Sequence, residues 1–304
     1  MNPSQPRTVA ILQALFVTFL WSTSWVLIKI GLRQVPALTF AGLRYLLAFL
    51  VLVPVLGLRG HAGLLRRLAA RDWLRLAALG VLFIAITQGG QFMALAYLPA
   101  VTVNLVLSLT TIAVALMGLI FLAERPGDLQ WLGIGLALAG ALIYFIPVGV
   151  GGGQTAGLLA AGVCVLANAA SSVMGRDVNR RRDMPPLVVT TVSMGFGAVL
   201  LLGGGLVFQG LPRLDLTGWG IVGWLAVVNT ALAFTLWNRT LQTLTAVESS
   251  VINNTMLIQI PILAVVFLGE RLTWLEVVGL CVAGVGTLIV QLRRPALVEP
   301  PPQS

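Results

Sequence analysis

Asn104, Ser108 and Thr111 stand at i, i+4 and i+7 of an apolar stretch, so on a helix they share one face. Amides and hydroxyls hydrogen-bond a solute or a neighbouring helix, and they lack the acid–base strength for covalent work. Side chains of the same kind recur in other apolar stretches: Ser22, Gln88, Gln91, Asn168, Ser172, Asn229 and Asn254. Trp21, Trp25 and Trp237 add flat aromatic faces that suit an apolar or aromatic solute, or equally a membrane interface. Three charges also fall within apolar stretches. Lys29 is near enough to a stretch end to snorkel, whereas Arg44 lies deeper and needs a carbonyl, a water-filled cavity or an acid. Glu248, a full turn inside its stretch, is either a desolvated carboxylate fit to carry a proton or, near the mouth, a wet, ordinary one.

These residues are positioned by long hydrophobic elements. The 304-residue chain is 58% hydrophobic and 10% charged, and a helix needs roughly 20 apolar residues to cross a bilayer. Ten stretches qualify, at 9–31, 36–57, 73–96, 99–123, 129–148, 155–176, 186–208, 218–241, 245–268 and 273–292. The reading is an all-α integral membrane protein. A β-barrel is excluded because "LLAFLVLVPVLGL" is apolar throughout, where a barrel strand alternates. The first stretch lacks a small-residue cleavage site and reads as a retained span.

The net charge of +9 belongs to the connections between spans and implies no nucleic acid. Arg7, Arg59, Arg66, Arg67, Arg71, Arg75, Arg125, Arg176, Arg180, Arg181, Arg182, Arg239, Arg293 and Arg294 collect on the side that holds the N-terminus. Only Arg33, Arg213 and Arg271 fall on the other side. The bias predicts that both termini are cytoplasmic, in a multi-pass protein of the cytoplasmic (inner) membrane. Cys164, Cys281 and His61 are too dispersed for a disulfide framework or a metal site, and no acid–base cluster or phosphate-binding loop is present. No metal, no cofactor and no enzymatic activity are expected.

The sequence also repeats itself. "IFLAERPGDLQ" at 120–130 returns as "VFLGERLTWLE" at 266–276, so Glu124 and Arg125 recur as Glu270 and Arg271 at an offset of 146. Gly133, Ala137 and Gly140 recur at the same offset as Gly279, Ala283 and Gly286, and Ser108 as Asn254. Five spans per half, an odd number, require the second half to enter the membrane inverted. The halves run over 9–148 and 155–292, with a cytoplasmic tail at 293–304. Each Glu–Arg pair reads as an interfacial arginine beside a glutamate that caps the next helix or pairs locally. The Gly/Ala sets read as faces that let helices approach closely, within one chain or between two, so a monomer and a homodimer are both open.

The stretches "FLWSTSWVLIKIGLRQVPALTFAGLRYLLAFL" (19–50) and "VFLGERLTWLEVVGLCVAGVGTLIV" (266–290) resemble the opening and closing patterns of EamA-type members of the drug/metabolite transporter superfamily. The resemblance covers essentially the whole chain, although the fourth span lacks a proline that many relatives carry and the sixth is weakly matched. It implies ten helices in two inverted five-helix repeats and export of small metabolites such as amino acids and their derivatives. A transporter working by alternating access between two faces of the bilayer would place the polar residues and tryptophans named above around a central site. A passive channel or a membrane scaffold is the alternative. The partners expected are a small-molecule substrate and the lipid bilayer.

Overall fold

The computed structural model describes residues 6–122, 127–146, 152–180, 184–240, 243–244 and 246–292. Glu124, Arg125, Arg181, Arg182 and the 293–304 tail lie outside them. Among the described residues, ten helices are long and apolar enough to span a membrane. They are α1 (Arg7–Gly31), α2 (Ala37–Leu58), α3 (Ala70–Tyr97), α4 (Ala100–Met117), α5 (Asp128–Phe145), α6 (Gln154–Gly175), α7 (Pro186–Gln209), α8 (Leu216–Trp237), α9 (Val251–Leu268) and α10 (Trp274–Gln291). The expected stretches map one to one onto these helices, with ends displaced by a few residues. Prolines at Pro36, Pro99 and Pro185 precede α2, α4 and α7, where a residue without an N–H costs nothing.

Helices that traverse alternately place Arg7 and Gln291 at one face of the bundle, called here the N-terminal face. Packing follows the two-repeat arrangement. Three helices meet their own repeat mates: α2 with α7, α4 with α9, and α5 with α10. The remaining pairs are exchanged, α1 lying against α8 and α9 of the second repeat while α6 lies against α3 and α4 of the first.

The tightest seam joins α5 to α10. A Cβ on Gly286 would sit 2.6 Å from the Gly133 carbonyl oxygen, and one on Gly140 2.6 Å from that of Gly279. The two Gly/Ala faces therefore meet each other within one chain, backbone against backbone. In a bilayer, where lipid tails are as apolar as the side chains, such close approach is what holds helices together.

Four helices depart from regular α geometry, in two matched pairs of places and, at the π-helical Ala264–Leu268 end of α9, in one unmatched place. Residues Val81–Gln88 of α3 and Val227–Leu232 of α8 are π-helical, beginning 146 residues apart. A π turn frees a carbonyl from its usual partner. Thr87 and Thr230 answer it, each hydroxyl donating to the oxygen five residues back, Leu82 and Leu225, at 2.8 Å. The helices containing α4 and α9 are each interrupted once, at Leu109 and at Thr255, again 146 apart. Tight turns carry the chain across, Leu109 N–H to Val106 O and Thr255 N–H to Ile252 O, both 3.1 Å.

Candidate functional site

A cavity of about 420 Å³ lies between α3, α6, α7 and α8. Its walls are Leu79, Phe83 and Ile84 of α3, Ser171, Ser172 and Gly175 of α6, Val189, Thr190, Ser193 and Met194 of α7, and Phe234 and Trp237 of α8. All belong to the N-terminal half of the bundle, since α3 and α7 begin there and α6 and α8 end there. Helical phase explains the lining: Ser171 and Gly175 are one turn apart, as are Thr190 and Met194. The volume suits a small metabolite.

The lining is aromatic and hydroxylated, and no ionisable side chain belongs to it among the described residues. Ser171 and Ser172 donate to the Asn168 carbonyl at 2.9 and 2.8 Å, and Ser193 to that of Val189 at 2.7 Å. Each hydroxyl keeps its acceptor lone pairs for a solute donor. Trp21 of α1 stands behind this wall, its ring 5.1 Å from that of Trp237 and 5.6 Å from that of Phe234.

Of the residues expected at a central site, Ser172 and Trp237 line the cavity, while Trp21 and Asn168 back it. The structure distributes the others elsewhere. Ser22 donates to Gln259 Oε1 of α9 at 2.8 Å, in a cluster with Thr18 and Thr255 that ties α1 to α9. Asn254 donates to Gln291 of α10 at 2.7 Å, and Gln291 donates on to Thr111 of α4 at 3.0 Å. Ser108 donates to the Leu105 carbonyl beside the break in its helix. Trp25 is buried in the main apolar core. Asn104 is buried with its Nδ2 unpartnered, and Gln88 and Gln91 are half-buried with no hydrogen bond to another described residue. Asn229, fully buried, donates to the Leu20 carbonyl and, at 3.2 Å, to Thr23 Oγ1.

The charges depart most from expectation. Lys29 does not snorkel: its ammonium donates to the carbonyls of Leu95 and Leu98, at 2.8 and 2.7 Å, closing the C-terminal end of α3. Glu270 does not cap the helix that follows it. It reaches instead to the start of α4, accepting from the N–H groups of Ala100 at 2.6 Å and Val101 at 3.1 Å. The start of α10 is capped by Thr273 and Glu276 in a reciprocal pair, which frees Glu270 for the distant helix. A cation and an anion thus hold the two ends of the α3–α4 turn, each matched to the helix end it favours. Glu248 pairs with Arg7 at the N-terminal face. Arg44 is buried and donates to Thr230 Oγ1 at 2.9 Å.

Thr230, Gln259, Thr190 and Ser193 escaped the sequence reading. Gln259 stands one turn after Thr255, a polar spacing of the kind used for Asn104 and Ser108. Thr230 carries no such signal, because its partner is 186 positions away.

The comparisons with known proteins agree with this architecture. A solved crystal structure shares it with a TM-score of 0.66, at 20% identity over 93% of this chain and 96% of its own. The inner membrane transporter YedA of Escherichia coli K12, itself uncharacterised, is 28% identical over 237 residues, covering 72% of this chain and 70% of YedA. A probable amino-acid metabolite efflux pump of Salmonella typhimurium (strain LT2) is 27% identical over 309 residues, covering 94% and 97% of the two chains. The model of the EamA-like transporter family matches twice, at 8–146 and at 155–292, and the chain belongs to that family.

Proposed function

We propose that the protein is a secondary transporter, not an enzyme, that exports small amphipathic metabolites, amino acids or their derivatives, by alternating access. The observation that carries this reading is one-sided access. The cavity is walled by the N-terminal half of the bundle, while in the other half Phe40, Phe92, Leu95, Leu98 and Val101 are buried beneath the Lys29 and Glu270 contacts. The breaks in the helices of α4 and α9 supply paired points of flexure between the repeats 9–148 and 155–292. The name of the Salmonella relative supports amino-acid derivatives as cargo.

The arginine bias supports an inner-membrane orientation with the N-terminal face, both termini and the 293–304 tail on the cytoplasmic side. The cavity is then cytoplasm-facing, the state in which an exporter loads. The protein acts as a monomer or homodimer in the bilayer and requires no cofactor. A cysteine at Gly210 is expected to react with an impermeant maleimide added outside intact cells, and one at Ala62 is not. The reverse pattern would refute the orientation.

Purified protein in liposomes is expected to exchange labelled amino acid for unlabelled, with saturation. Trp237→Ala, which removes an aromatic wall, should raise the half-saturation concentration about tenfold. Flux that never saturates would favour a passive channel and overturn the proposal.

A further inference from the structure

Arg44 carries a charge for which the described residues provide no opposite. Its side chain is only 4% exposed. Nε donates to Thr230 Oγ1 at 2.9 Å, and the guanidinium carbon lies 5.2 Å from the Tyr45 ring centre and 5.9 Å from that of Phe92. Aromatic rings attract the cation but offer no oxygen to its N–H groups. No described carboxylate reaches it: among the described residues the ion pairs are Arg7 with Glu248 and Arg75 with Asp72. A guanidinium has five donors in a planar fork, and one of them is used among the described residues.

The position of this group relative to the cavity is informative. Thr230 belongs to the π turn of α8, one helical turn beyond Phe234, which lines the cavity. Ile84 and Met194, also in the cavity wall, share an apolar cluster with Tyr45 and Phe92. Arg44, bonded to Thr230, therefore lies about one helical turn beyond the Phe234 wall of the cavity. Beside it in sequence from Thr230, Asn229 is completely buried, and its Oδ1 accepts no hydrogen bond. The π turn thus sets side by side on α8 the hydroxyl that holds the under-used Arg44 of α2 and the amide whose oxygen is an orphaned acceptor.

We propose that Arg44 binds the carboxylate of the transported solute, with Asn229 Oδ1 receiving its ammonium group. The assignment rests on the transport reading and specifies its substrate as zwitterionic. A carboxylate occupies the guanidinium fork through two parallel N–H bonds and neutralises the charge, so the missing counter-ion arrives with the cargo. The aromatic cavity walls then face the solute side chain.

The test uses thermal unfolding of the purified full-length protein with L-phenylalanine, L-phenylalaninamide, which lacks the carboxylate, and 3-phenylpropionate, which lacks the ammonium. Wild type is expected to bind phenylalanine at least about tenfold more tightly than the amide, with phenylpropionate between them. Arg44→Gln should erase the preference over the amide, and Arg44→Lys should keep part of it. Equal stabilisation of wild type by acid and amide, or stabilisation by neither, overturns the proposal, as does an unchanged preference in Arg44→Gln. Should that variant fail to fold, Thr230→Val leaves the charge in place but unpositioned and is expected to weaken phenylalanine binding several-fold; unchanged binding there overturns the proposal. Counterflow in liposomes is measured separately. Arg44-dependent binding without counterflow would refute transport and leave the carboxylate site standing.

Discussion

Gly140→Leu and Gly286→Leu are each expected to abolish folded protein in the membrane, whereas Gly135→Leu and Gly284→Leu are expected to be tolerated. All four glycines lie on α5 or α10, within one or two turns of each other. They differ in what a side chain would meet. At Gly140 the first added carbon falls 2.6 Å from the Gly279 oxygen and 2.8 Å from the Ala283 Cα, and at Gly286 it falls 2.6 Å from the Gly133 oxygen. Those are backbone atoms and cannot turn aside, so the helices must separate along the whole seam. Overpacking of a yielding core costs about 1–3 kcal/mol, and a clash with backbone exceeds the upper end of that range. At Gly135 and Gly284 nothing lies within 4 Å. Fluorescence-detected size exclusion of the four variants checks the contrast. Equal expression of all four would mean that α5 and α10 do not pack as described.

Glu270→Ala is expected to release the face of the bundle opposite the N-terminus. The carboxylate accepts from two backbone N–H groups at the first turn of α4, and a buried helix start has no water to replace it. Loss of such a cap costs about 2 kcal/mol, or roughly thirty-fold in the balance between this access state and its opposite. A cysteine at Val101, which is fully buried, reports the change. Its reaction with an impermeant maleimide from that side should quicken by more than about tenfold in the Glu270→Ala background. Lys29→Met should act in the same direction by stripping the donor from the Leu95 and Leu98 carbonyls. Labelling that stays slow in both backgrounds would show that these contacts are passive supports and not part of a gate.

The ten helices were legible in the sequence because bilayer thickness dictates the length of an apolar run, and little else in a protein does. The repeat was legible because its loops and Gly/Ala faces are copied at a fixed offset. Three features were not. The π turns of α3 and α8 hide from any reading that assumes 3.6 residues per turn, and the threonines that support them look like ordinary helix residues. Helix-end rules weigh neighbours in the chain and so make Glu270 a local cap or local partner, yet the start of α4 it satisfies is 170 positions earlier. Depth within an apolar stretch groups Ser22, Asn229 and Asn254 with the cavity residue Ser172, and helical phase is testable only along the fourth span. Depth fixes a level in the membrane but not a direction around each helix. For Ser22 and Asn254 the direction is set by Gln259 and Gln291, which are visible only once the helices are assembled.

The uncharged lining of the cavity has an electrical consequence. A membrane potential of about 100 mV does about 2.3 kcal/mol of work on each unit charge that crosses it. The described walls of the cavity offer it no ionisable group, so reorienting them when empty moves no wall charge through the field. A net-neutral solute would then cross without current. Carried without a co-bound ion, such a solute would be neither driven nor braked by voltage, and the direction of flow would follow its own gradient.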